Sequence, residues 1–266
     1  MRKIFLIATV VFLFGHSGRT QTVMLHNLPG NSTSFSVKFQ HPFFTRTGSP
    51  LYSGIYEVFV NTPIGEKYGL EMAVPFSYSS MEGFYEDGVG NVYIGLQTRK
   101  AFADNAGSSG AFGLFLPTAY SKTEIFGSLA NFINYYKYVS ETVTIYGNYA
   151  YRTYTPTNVM VTFEIGPALT IPISDEGRDA NLLLHYGGGL GFELQKITLF
   201  TELTGLMIIN EYSRELSDRF THSFGFGMQY KGHNFRPAIF FNLYLKENLS
   251  DVVDGVLSLK IEVGRD

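Results

Sequence analysis

The residues that invite a chemical reading are the ionisable ones set into stretches that otherwise alternate between apolar and small side chains. They are Lys38, Glu57, Glu71, Arg99, Arg152, Glu164, His185, Glu202, Arg236 and Lys260. None stands at a spacing that assembles a catalytic centre. His222 and Ser223 are adjacent, so in an extended chain they point to opposite faces and cannot form the hydrogen-bonded pair that activates a serine. His185 with Glu193 does not make a metal site, and ordinary polarity of a wetted face accounts for both. Gly187-Gly188-Gly189-Leu190-Gly191 lacks the strand-turn-helix setting of a phosphate loop. The chain has no Cys, which excludes disulfides, thiolate metal sites and cysteine nucleophiles together. No catalytic residue, metal ligand or cofactor is therefore expected, and the chain is not expected to be an enzyme. What these charges can do is line a polar surface.

That surface has to be positioned by strands. In residues 158–172, Val159, Val161, Phe163, Ile165, Pro167, Leu169 and Ile171 alternate with Met160, Thr162, Glu164, Gly166, Ala168 and Thr170. A helix would scatter the two sets around its axis, whereas a strand sends them to opposite faces. The run is longer than an ordinary globular strand of about five or six residues and suits a tilted membrane-crossing strand of ~9–11 residues that continues beyond the hydrocarbon. The same alternation recurs from Phe35-Val37-Phe39 to Leu257-Leu259-Ile261-Val263, and the ionisable residues fall on the small, polar face. Gly69, Gly95, Gly187, Gly189, Gly191, Gly225 and Gly227 share that face, where they leave room or let neighbouring side chains cross. One region breaks the period. Residues 118–140 carry Ser121-Lys122-Thr123-Glu124 at the spacing of a capping box, followed by Ile125, Leu129, Phe132, Ile133 and Tyr136 at helical spacing, so a short amphipathic helix is expected inside a long loop.

Composition supports a membrane setting. The chain holds 28 Gly, 24 Phe and 18 Tyr but only 16% charged residues, the balance of barrel walls and aromatic girdles more than of soluble surfaces. Trp is absent, so Tyr and Phe have to form any interfacial belt. Residues 1–21 read as a secretory signal, with Arg2 and Lys3 ahead of an apolar core from Ile4 to Phe14 and the small-x-small step Gly15-His16-Ser17. That core is too short to span a bilayer, which takes ~20 residues, and no later segment is a transmembrane helix candidate. An exported chain of this kind can cross a membrane only as a closed barrel. A net charge of −3 gives no reason to expect nucleic acid.

Alternating segments of this kind number about twelve, and the connections between them are alternately tight and long, with residues 79–90, 118–140 and 209–218 read as the long loops. With that asymmetry, residues 22–266 resemble bacterial outer-membrane β-barrel proteins of the porin or transporter kind. The resemblance implies an all-β, transmembrane, antiparallel up-and-down barrel in the bacterial outer membrane, with short periplasmic turns and a helix in one long extracellular loop. The final aromatic residue usual in that family is missing, since the chain ends Val263-Gly264-Arg265-Asp266. An outer-membrane phospholipase has a similar strand count, but its His-x-Ser spacing does not occur here. Two readings stay open: a passive channel or transporter for small solutes, and a closed barrel that serves as a structural or accessory subunit and presents 118–140 to a membrane-protein partner. The partners implied are outer-membrane lipid and a small-molecule solute.

Overall fold

The computed structural model describes residues 33–45, 50–81, 84–103, 105–174, 178–211, 216–232 and 234–264. The expected signal, 1–21, lies outside them. Thirteen strands form among the described residues: β1 (Ser34–Phe44), β2 (Gly54–Ile64), β3 (Tyr68–Met81), β4 (Phe84–Val89), β5 (Tyr93–Ala103), β6 (Ala106–Phe115), β7 (Thr142–Tyr154), β8 (Val159–Pro172), β9 (Asn181–Glu193), β10 (Ile197–Ile208), β11 (Phe220–Tyr230), β12 (Phe235–Tyr244) and β13 (Val253–Gly264).

All but β4 pair antiparallel with both neighbours in an up-and-down order, and β1 closes on β13 from Ser34↔Gly264 to Phe44↔Val253. The result is a twelve-stranded transmembrane barrel. Closure removes the edges, so each of the twelve barrel strands has a ladder on each side, and only β4 is left with one partner. The alternation decides which face looks where. In β8, Met160, Thr162, Glu164, Gly166, Ala168 and Thr170 are buried, while Phe163, Ile165 and Ile171 stand exposed on the outer wall. Leu190, Leu203, Phe226, Ile239 and Ile261 continue that exposed apolar band on other strands. An apolar exterior around a polar interior is the arrangement a bilayer solvates. No helix among the described residues is long and apolar enough to cross a membrane.

The connections are short at one end, where Gly65 and Asn158 take left-handed φ of 69° and 61°, and longer at the other. At the long-loop end the structure corrects the reading of 79–90 as a plain loop. There β3 runs on to Met81, and β4 folds back along its outer half from Phe76↔Val89 to Met81↔Phe84, while the inner half of β3 pairs with β5. The missed alternation is short and rests on few large apolar residues, so no periodicity announced it. Between β4 and β5 the ladder lapses at Gly90 and Asn91, and the Asn91 side chain is fully buried there.

Inward glycines do admit crossing rings. Tyr93 lies over Gly95 and Gly113, and Phe240 lies over Gly225 and Gly227 and stacks on Phe200 at 5.4 Å. A Cβ at Gly225 would overlap the Phe240 ring and the Asn242 side chain. Gly225→Ala is therefore expected to destabilise the barrel by about 1–3 kcal/mol, the usual cost of overpacking. Gly188→Ala, whose Cβ would meet nothing nearer than 3.7 Å, should leave urea unfolding unchanged. Equal midpoints for the two variants would contradict the ring-over-glycine account.

Candidate functional site: the barrel lumen and its inserted loop

Lumen chemistry begins with the ladder register, which brings charged residues of different strands into rows. Lys38 stands opposite Glu57 on one side and Lys260 on the other. Its Nζ lies 3.5 Å from Glu57 Oε1. Lys260 in turn reaches Glu262 at 3.1 Å, and Arg236 reaches the other oxygen of Glu262 at 2.6 Å. Across the barrel, Glu164 is opposite Gly187 and Glu202 is opposite Gly189, so the two carboxylates flank β9 at neighbouring levels. His185 sits one inward position nearer the long-loop mouth, stacked on Tyr146 at 4.8 Å and 3.9 Å from Glu164. Glu71 accepts the Tyr93 hydroxyl at 3.4 Å. Thus Lys38, Glu57, Glu71, Arg152, Glu164, His185, Glu202, Arg236 and Lys260 are all buried on the face opposite the apolar band. The Arg99 side chain lies outside the described residues. His222 and Ser223 do point apart: His222 bonds the Tyr186 hydroxyl at 2.6 Å, whereas Ser223 is buried inside.

Residues 116–141 between β6 and β7 complete the site, and here the structure departs from expectation. The helix forms as α1 (Ser121–Ala130), followed by a 3₁₀ segment, Phe132–Lys137. No capping box closes its start: the N-cap is Tyr120, and Glu124 instead accepts the Ser140 N–H and hydroxyl and pairs with Arg178. The buried face is Thr123, Phe126, Gly127 and Ala130, leaving Ile125 exposed. The later part of the loop turns inward. Its Ile133 and Tyr136 enter the barrel and pack in one cluster with Phe59, Tyr93, Phe115 and Tyr146 of the wall. Tyr136 meets Phe115 edge-on at 5.1 Å.

Polar bonds fix this insertion. Lys137 forms an ion pair with Glu57, so Glu57 serves two lysines, one from the wall and one from the loop. Asn91 donates to the carbonyls of Tyr136 (2.9 Å) and Val139 (2.8 Å) and accepts the Ala119 N–H (3.0 Å), which ties both ends of the loop to one wall residue. In the alternation of residues 91–99, Asn91 falls on the inward face with Gly95, but no motif or spacing assigns it or Lys137 a role. The signal for Lys137 was its place in Tyr135-Tyr136-Lys137-Tyr138, an aromatic density that an exposed loop has no use for. The arrangement gives the barrel a polar inner wall with an aromatic cluster packed between that wall and the inserted loop.

No protein-family model matches the chain, and no curated protein matches it in sequence. Solved structures do match in shape. An outer membrane channel from Pseudomonas putida F1 superposes with a TM-score of 0.63 at 13% identity, over 92% of this chain and 100% of that one. The NanC porin gives 0.56 at 8%, over 88% and 100%. The KdgM porin in complex with disordered oligogalacturonate gives 0.52 at 10%, over 88% and 98%. The chain thus shares its fold, along nearly its whole described length, with bacterial outer-membrane β-barrel porins.

Proposed function

We propose that this chain is a bacterial outer-membrane channel for small polar solutes, shut here by its own 116–141 loop. The observation that carries the reading is the inner wall, where ionisable and amide side chains recur from the Arg236–Glu262 pair up to Asn91. A barrel meant to stay closed is filled at less cost by apolar groups, because replacing buried ion pairs with hydrophobic residues of similar volume is commonly neutral or stabilising. A polar wall has a use when solutes pass along it. The porin neighbours, one of them solved with an oligogalacturonate, support the same reading.

One observation favours the closed accessory barrel instead: Lys38, Glu57, Glu71, Arg152, Glu164, His185, Glu202, Arg236 and Lys260 are each no more than 9% exposed. Conductance in planar bilayers separates the two. Wild type should conduct rarely, and Lys137→Ala, which releases the loop from Glu57, should conduct often. If neither exceeds the bare bilayer, the accessory-subunit reading stands in place of the channel. In the Lys137→Ala background, Glu164→Gln with Glu202→Gln should move selectivity several-fold towards anions. The shift should be larger at 0.01 M salt, where the Debye length of about 30 Å lets fixed charges act on passing ions. Unchanged reversal potentials would remove both carboxylates from the path.

A further inference from the structure

Helix α1 rests on the β3–β4 hairpin through a seat whose polar groups are poorly served. The register sets Ser77 beside Gly88 and Ser79 beside Glu86. Thr123 stands on Gly88, and the Phe126 N–H donates to Glu86 Oε2 at 3.0 Å. Glu86 is only 2% exposed. Among the described residues its Oε1 and the hydroxyls of Ser77 and Ser79 meet no hydrogen-bond partner. Buried polar atoms without partners favour any state in which water reaches them. Asn91 holds both flanks of the helix, at Ala119 and at residues 136–139, where Glu57 adds an ion pair, so a lifting α1 has to part from the hairpin and from the Glu124–Ser140 bonds while its flanks stay anchored. Between α1 and residues 136–139, the chain leaves helical geometry at Asn131 (φ −140°, ψ 62°), which supplies a pivot.

We propose that α1 is a pH-sensitive lid, which lies on the hairpin while Glu86 is protonated and lifts when Glu86 releases its proton to water. The inference rests on the channel reading for its purpose but not for its test. A protonated carboxyl asks little of the seat. An ionised one is a buried charge with one helix N–H to answer it. Glu124 on α1 and Asp87 on β4 repel that charge, Lys122 is exposed, and Arg178 is engaged with Glu124 and Glu141. Burial, aided by Glu124 and Asp87 and opposed by the Phe126 N–H, pushes the Glu86 carboxyl up to about 7. The sign follows from linkage. The seated state binds the proton more tightly than a hydrated carboxyl of ordinary pKa, so seating is favoured in acid and loses ground as pH rises from about 4.5 through about 7. Tenfold per unit, the ratio of seated to lifted lid should fall by roughly two orders of magnitude across that window.

The native absence of Cys makes the test direct. Spin labels at Ile125→Cys on the exposed side of α1 and at Ile173→Cys on the rim report the lid position by pulsed dipolar distances, with or without conductance. A second distance population should appear at about pH 8 and be absent at about pH 5. Glu86→Gln should hold the seated distance at both, and Ser79→Ala, which removes an orphan hydroxyl, should reduce the second population at about pH 8. Identical distributions at the two pH values, or a pH response surviving in Glu86→Gln, overturn the lid. A moving lid on a barrel that never conducts would instead count against the channel reading alone.

Discussion

Phe163→Arg and Leu203→Arg are each expected to cost about 2–4 kcal/mol of folding stability in lipid, the penalty for a cation on the lipid face near the bilayer midplane. Phe163 is 48% and Leu203 47% exposed, and both lie well inside their strands. In water the same substitutions on an exposed strand face would cost a few tenths of that, because a solvated Arg pays no desolvation. The contrast is internal to the molecule. Leu245→Arg, also exposed but just past the end of β12, should cost about 0–1 kcal/mol, since the cation can reach the headgroups and water. Urea titration of folding into phospholipid vesicles reads all three. Equal midpoints would mean that the apolar band does not meet hydrocarbon, and with it the transmembrane account fails.

The wall and the loop differ in how much of them the sequence reveals. A strand in a closed barrel has one neighbour on each side and a face towards each medium, so its local alternation already states its final environment. Residues 158–172 read as two faces, and β8 buries the small and polar set. The inward charges followed from the same alternation, which is why Lys38, Glu164 and Glu202 lie on the buried face. The loop could not be read this way. Its apolar residues find partners inside a barrel made by strands far away in sequence, and no local pattern shows that the mouth is wide enough to receive Tyr136. Ile125 looked like part of a buried stripe because it sits at the helical period, yet the face that turns inward is set by Phe126 meeting Ile55 and Tyr138. The capping box failed for a related reason. Glu124 has a better offer from the Ser140 N–H and hydroxyl and from Arg178 than from the helix start, where the N-cap residue Tyr120 makes no side-chain cap hydrogen bond.

Asn91→Ala should release the inserted loop more fully than any other single change in the wall. The side chain makes three bonds to loop backbone, two donated to carbonyls and one accepted from an N–H. Each abandoned backbone group costs about 1–3 kcal/mol if it stays dry. Water entering from the mouth recovers part of this, which leaves roughly 3 kcal/mol against the seated loop, or about a hundredfold in its population. The Asn91 backbone N–H, which bonds the Lys137 carbonyl at 2.6 Å, survives the substitution, as do the twelve-strand ladders. The barrel should therefore keep its urea midpoint while trypsin gains access to Lys137 on the loop. Asn91→Asp keeps the acceptor and loses the donors, so it should fall between Ala and wild type. Should Asn91→Ala leave the loop as protected from trypsin as in wild type, the insertion is held by the aromatic packing of Ile133 and Tyr136 and not by the Asn91 clamp.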